Sequence, residues 1–144
     1  MKIKAILLVV AAVFMFNIAA EAQSLQRPVR NVEVQDLDAK KARLPWWGEE
    51  NLLIFYVDPE VPKQNHDFIT YLEESGRVQG PNIEGFGIVN LKDSWYPVPD
   101  SVVRQIAESR TAKNGATILC DPDHWLSSAW RLGDCNDMFI IMLV

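Results

Sequence analysis

The stretch that decides the fold is residues 52–59, which read Leu-Leu-Ile-Phe-Tyr-Val-Asp-Pro. Its first six residues, Leu52–Val57, are apolar without interruption and have the length of a β-strand. A continuous apolar run of this length predicts a strand in the middle of a sheet that is covered on both faces. Asp58-Pro59 ends the run, because proline cannot donate to a sheet ladder and an Asp before it readily forms a turn.

Outward from this stretch, strand patterns and helix patterns alternate along the chain. Further strands are predicted at Asn31–Asp38, Ile83–Leu91, Ala116–Cys120 and Met138–Val144, and helices at Pro62–Ser75, at Asp100–Thr111 and from Asp121 to Gly133. Alternation with short connections predicts one α/β domain whose helices pack on a mostly parallel sheet. The chain stops inside an apolar strand, so a C-terminal strand and helix are expected to be missing from it.

Helical spacing assigns a buried face to each of the first two helices. The apolar positions are Phe68, Ile69 and Leu72 in the first helix, and Val102, Val103, Ile106 and Ala107 in the second. Arg104 is expected to face water. In the third helix, Asp121 is predicted to cap the free N–H groups and Pro122 to occupy the first helical position.

Residues 1–22 have the anatomy of a secretory signal peptide. Lys2 and Lys4 give a basic start, Ala5–Phe16 is an apolar run, and residues 20–22 (Ala-Glu-Ala) form a small-x-small cleavage site. The apolar run is shorter than the roughly 20 residues that span a bilayer. We therefore expect an exported, periplasmic bacterial protein with a single domain at residues 23–144; an uncleaved N-terminal anchor is the alternative.

The net charge of the expected domain argues against two classes of partner. Residues 23–144 carry 12 basic and 18 acidic side chains, a formal charge of −6. An acidic domain without a basic cluster is unsuited to nucleic acid, and equally to an anionic membrane surface. No Gly-rich dinucleotide or phosphate loop occurs, so no cofactor is expected.

Cys120 and Cys135 are the two cysteines of the chain. Export favours a disulfide between them, which would close a short loop. The alternative is two small buried side chains that never meet. Asp121 and Asp123, which flank Cys120 in sequence, are expected to raise the pKa of its thiol through like-charge repulsion.

Aromatic side chains are the candidates for a binding surface. The residues considered are Trp46, Trp47, Trp95 and Tyr96, together with Asp58 at the end of the central strand. Two adjacent Trp before a glycine more often close the edge of a core than form a platform, and an Asp before proline is ordinarily a turn former. Residues 120–124 (Cys-Asp-Pro-Asp-His) include metal-ligand types, but neighbouring side chains at a helix start point in different directions, so no metal site is expected.

Three segments carry a resemblance to known proteins. They are Leu52–Pro59, Gly87–Asp93 (Gly-Ile-Val-Asn-Leu-Lys-Asp) and Leu119–Gly133 (Leu-Cys-Asp-Pro-Asp-His-Trp-Leu-Ser-Ser-Ala-Trp-Arg-Leu-Gly). Together with the element order, residues 31–144 resemble the thioredoxin-like fold in its peroxiredoxin-related form, a three-layer α/β/α sandwich. Ile88-Val89-Asn90, Asp93 and residues 129–132 (Ala-Trp-Arg-Leu) are similar to the YtfJ-type family of small periplasmic proteins, which has no well-defined activity.

The departures from the enzymes of this fold matter as much as the match. Thioredoxins carry Cys-x-x-Cys after the first central strand, where a helix N-terminus lowers the thiol pKa, and peroxiredoxins need a Cys in the same place. No residue from Asp58 to Asn65 is Cys, and residues 134–137 (Asp-Cys-Asn-Asp) lack the proline that thioredoxins place before the next-to-last strand. No catalytic residue is carried over from either family.

Two functional hypotheses remain from the sequence. The first is an exported thioredoxin-like protein that binds an envelope protein or a small ligand without thioredoxin-type catalysis. The second is a thiol-disulfide oxidoreductase that uses Cys120 and Cys135 in an unusual placement. The absence of a Cys after the central strand favours the first hypothesis.

Overall fold

A computed structural model describes residues 27–61, 63–92, 99–132 and 139–143. The elements of this part are, in chain order, β1 (Glu33–Gln35), β2 (Lys41–Arg43), β3 (Asn51–Val57), α1 (His66–Glu74), β4 (Ile83–Asn90), α2 (Asp100–Asn114), β5 (Ile118–Asp121), α3 (Trp125–Trp130) and β6 (Phe139–Leu143). The six described strands form one sheet in the order β2-β1-β5-β4-β3-β6. This confirms the predicted α/β fold, with residues 52–57 in an interior strand.

The sheet is mixed rather than mostly parallel. β3, β4 and β5 are parallel neighbours, whereas β1 pairs antiparallel with β2 and β5, and β6 pairs antiparallel with β3. Parallel neighbours need a crossover, which α1 and α2 supply, while β1 and β2 are joined by a tight turn. β2 was not predicted, because three residues of mixed polarity carry no readable period.

One face of the sheet holds a dense core, and we call it the packed face. Alternate residues of β3 and β4 point to it, among them Ile54, Tyr56 and Ile88, and all three are fully buried. Leu126 and Trp130 of α3 cover them, so α3 lies on this face. The β1–β2 segment adds further buried side chains, namely Val34 and Leu44.

The opposite side, which we call the open face, is covered less completely. The right-handed rule for crossovers predicts α1 and α2 on this side. α2 contacts β5, whereas α1 contacts no other element of the described part. α1 buries none of its residues. The five large apolar side chains that are exposed in the described part belong to α1, α2 and β6: Phe68, Tyr71, Val102, Ile106 and Met142.

The first helix begins later than predicted. Residues 58–66 make a series of turns in which the N–H groups of Val61, Gln64 and His66 bond to carbonyl oxygens three residues earlier. Asn65 then takes a left-handed conformation with φ of 59°, and the helix starts at His66. The predicted burial of Phe68 was wrong, since half of that side chain is exposed.

The predicted buried face of the second helix is confirmed in part: Ala107 is buried and Val103 is half-buried. Val102 and Ile106 are exposed, whereas Arg104 is buried. The Arg104 guanidinium donates to the carbonyl oxygen of Asp36, at 2.6 Å, and to Oε1 of Gln35. These bonds give the buried Arg104 guanidinium hydrogen-bond partners, although helical periodicity predicts that this side chain faces water.

The third helix is shorter than predicted, because a turn of residues 122–124 separates it from β5. Pro122 therefore lies before the helix rather than at its first position, and Ala129 is exposed. Gly133, its predicted end, lies outside the described residues. None of the helices within the described ranges is long and apolar enough to cross a membrane.

Candidate functional site

The carboxyl ends of the three parallel strands bring together a row of buried polar side chains. Asn90 at the end of β4 pairs in register with Asp121 at the end of β5. Asp58 follows Val57, which pairs with Val89, so Asp58 lies level with Asn90 at the same edge. All three side chains are 0–1% exposed. We call Asp58, Asn90 and Asp121 the polar row; ligands of open α/β sheets bind at this edge.

Asp121 anchors both the sheet and the following helix. Its Oδ1 accepts from the backbone N–H of Trp125 at 2.7 Å, and its Oδ2 accepts from the N–H groups of Leu126 and Ser127, each at 3.1 Å. The Tyr56 hydroxyl on β3 donates to the same Oδ2 at 3.0 Å. The predicted capping role is confirmed. Four donors, one on Oδ1 and three on Oδ2, commit this buried carboxylate to holding the strand and the helix together.

Asp58 and Asn90 shape the two neighbouring strand ends. Oδ1 of Asp58 accepts from the N–H of Glu60 at 2.8 Å, which is the Asx turn expected of an Asp before proline. Oδ1 of Asn90 accepts from the N–H of Lys92 in the same way, at 3.1 Å. The buried Asp58 therefore holds the turn itself and presents almost no surface to a ligand.

Cys120 points to the open face, since it alternates with the inward-facing Leu119 and Asp121. It is fully buried, and the described residues hold no disulfide partner for it. Burial, the main cause, raises the pKa of Cys120 from 9.0 to about 11; Arg104 lowers it, and Asp100 and Asp36 raise it. The predicted direction is confirmed, but the predicted cause was wrong, because Asp121 and Asp123 are not among the groups that shift it.

Cys135 lies outside the described residues, and the disulfide to Cys120 stays a prediction. The same applies to the redox pair that the second functional hypothesis requires.

The aromatic candidates are distributed between core and undescribed segments. Trp46 packs against Phe86 with ring centroids 6.1 Å apart, and Trp47 packs against Trp130 at the same distance. Both Trp side chains are half-buried against the core. Trp95 and Tyr96 lie outside the described residues, so their place in a binding surface stays a prediction.

Sequence reasoning missed three residues that organise this edge: Tyr56, Asn90 and Arg104. The apolar neighbours of Tyr56 concealed its hydroxyl, and Asn90 read as the end of an ordinary strand. A polar side chain at the last position of a buried strand is the signal that could have found Asn90. Within the ranges described, no three His, Cys, Asp or Glu side chains cluster closely enough to hold a metal ion.

Comparisons with known proteins support the fold. No protein-family model and no curated protein matches the sequence. Among solved structures, the chain is similar to the pneumococcal exposed lipoprotein thioredoxin of Streptococcus pneumoniae, with 13% identity, a TM-score of 0.50 and coverage of 72% of this chain and 75% of that one. A DsbF homologue from Corynebacterium diphtheriae matches with 16% identity and a TM-score of 0.47, over 74% of this chain and 63% of that one. The chain has a thioredoxin-like fold.

Proposed function

We propose that this thioredoxin-like domain works by binding a partner in the cell envelope and not by thiol-disulfide exchange. The observation that carries the proposal is the burial of the Cys120 side chain, which raises the pKa of its thiol. Its sulfur is fully buried, and its pKa is about 11, so almost none of it is thiolate at neutral pH. Thiol exchange needs an accessible thiolate, and a buried neutral thiol does not supply one.

The turn after β3 supports the same conclusion. In thioredoxins this turn carries the reactive thiol, and here residues 58–65 contain no Cys. Its first carboxylate is committed to the backbone N–H of Glu60. The turn is thus held by a short Asx bond and offers no nucleophilic sulfur.

We also propose that the protein is exported and related to the YtfJ-type family. The leader pattern of residues 1–22 supports secretion to the periplasm, and the segments Ile88–Asn90 and Ala129–Leu132 support a relation to the YtfJ-type proteins. A relation of this kind supplies no activity by itself, since a fold hosts many functions.

Insulin reduction by dithiothreitol, with and without the purified protein, tests the proposal. We expect no acceleration above the background rate. Turnover that disappears in Cys120→Ser or Cys135→Ser would establish the thiol-disulfide oxidoreductase instead.

A thiol titration provides the second measurement. In Cys135→Ser, where Cys120 is the remaining thiol, we expect reaction with Ellman's reagent only after denaturant is added. Rapid reaction of the native protein at neutral pH would contradict the proposal.

A further inference from the structure

α1 carries an exposed aromatic pair on one side. Phe68 and Tyr71 are three residues apart, and each is 50% exposed. Their rings stack with centroids 6.4 Å apart. The Arg77 guanidinium lies 5.5 Å from the centroid of the Tyr71 ring, which shows that this ring accepts a cation on its face. Aromatic side chains of this kind are typical anchors of protein interfaces.

Carboxylates flank the aromatic pair at both ends of α1. Asp67 precedes the pair, and Glu73 and Glu74 follow it. Because side chains four and three residues apart are neighbours on a helix, Asp67, Tyr71 and Glu74 lie on one side of α1. All three carboxylates are exposed, and the described residues give them no ion-pair partner.

The last turn of α1 carries two anions without an ion pair among the described residues, although Arg77 follows the helix and packs on Tyr71. Helix C-termini are stabilised by cations and destabilised by anions. The last turn of α1 contains Glu73 and Glu74 and no basic residue. Local rules are commonly broken where a protein meets its partner, and a cation placed here would relieve the conflict.

The geometry points to α1 as the docking surface for a basic amphipathic segment of another protein. Apolar side chains of that segment cover Phe68 and Tyr71, and its Lys or Arg side chains lie beside Asp67, Glu73 and Glu74. Two copies of this acidic surface would repel each other, and so would an anionic membrane, which selects a cationic protein segment as the occupant. The inference rests on the proposed binding function and names the chemistry of the partner.

Fluorescence anisotropy with a labelled amphipathic peptide of Leu and Lys tests this surface. The full-length purified protein should bind it, and Phe68→Ser/Tyr71→Ser should weaken binding by about tenfold or more, as expected of interface anchors. Val102→Ser/Ile106→Ser is the matched control, since it removes two exposed apolar side chains from α2. The control should bind within about twofold of the unchanged protein.

A second variant tests the charges without a risk to folding. Glu73→Gln/Glu74→Gln removes anions from a helix C-terminus, so the helix should not be weakened. We expect several-fold weaker binding at low salt and a shallower salt dependence. A peptide of Leu and Glu should not bind.

Several outcomes would overturn the inference. They are equal binding of the Leu/Glu peptide, an equal loss in the α2 control, no binding of the Leu/Lys peptide, self-association abolished by the α1 variant in sedimentation, and capture by anionic vesicles. None of these affects the absence of thiol exchange. Insulin turnover, in contrast, would contradict the proposed function and leave the peptide result standing.

Discussion

The two faces of the sheet differ in how completely they are covered. The packed face joins β3, β4 and β5 to α3, to the β1–β2 segment and to the Trp46-Trp47 pair in one continuous core. On the other side α2 contacts only β5 and α1 contacts no other element of the described part, and Phe68, Tyr71, Val102, Ile106 and Met142 are exposed. Burial of apolar surface is the main stabilising term in folding. The difference therefore assigns most of the stability to the packed face.

One substitution on each face tests whether the two faces contribute unequally to the free energy of unfolding. Leu126→Ala on the packed face should lower the free energy of unfolding by about 2–5 kcal/mol, since the side chain is fully buried and its loss leaves a cavity. Ile106→Ala on α2 should change it by less than about 0.5 kcal/mol, because 53% of that side chain is already exposed. Urea unfolding of both variants measures the two effects. Similar losses would show that the open face is covered in solution.

Asp121 ties the packed face together at its polar edge. Asp121→Ala should lower the free energy of unfolding by about 2–4 kcal/mol, because three helix N–H groups and the Tyr56 hydroxyl lose their acceptor in a buried place. Asp123→Ala is the matched control on the same turn. It removes an exposed ion pair with Lys92, which solvent screens, and should leave the unfolding midpoint nearly unchanged. Thermal unfolding of the two variants checks the contrast, which fails if Asp123→Ala is the more harmful.

Two glycines of β4 test how closely the segment at Val78 approaches the sheet. A Cβ on Gly85 would collide with Cγ1 of Val78 and lie 2.7 Å from its carbonyl oxygen, whereas one on Gly87 would meet nothing closer than 3.8 Å. Gly85→Ala should therefore destabilise the fold by about 1–3 kcal/mol through overpacking. Gly87→Ala should be tolerated. Equal unfolding midpoints in urea would show that the segment at Val78 does not close over β4.

The last expected effect is a dependence of the free energy of unfolding on alkaline pH. Since the pKa of Cys120 is raised in the folded state to about 11, its contribution is fully present below pH 9 and is lost as the pH rises toward 11. The unfolding free energy of the unchanged protein, relative to Cys120→Ala, should fall over this range in urea titrations. Other alkaline groups titrate in both proteins and cancel. A constant difference from pH 8 to pH 11 would show that the thiol is accessible in the fold.

The sequence by itself predicted the α/β alternation, the interior position of 52–57, the cap at Asp121 and the turn at Asp58. Each of these depends on residues close together along the chain: an apolar run, an Asp before proline, an Asp before a helix. Local chemistry is sufficient for features of this kind, because the interacting groups are covalently near one another.

Tertiary structure alone decided which faces are buried and which polar groups meet. The Tyr56 hydroxyl finds Asp121 across 65 residues of chain, and Arg104 finds Asp36 across 68. Arg104 is buried where it makes these bonds, and Val102 and Ile106 are exposed, whereas Ala107 is buried as periodicity predicts. Helix periodicity states which residues share a side, but the partner that a side meets depends on contacts between distant segments. That is the physical reason why strand positions could be predicted and the open face could not.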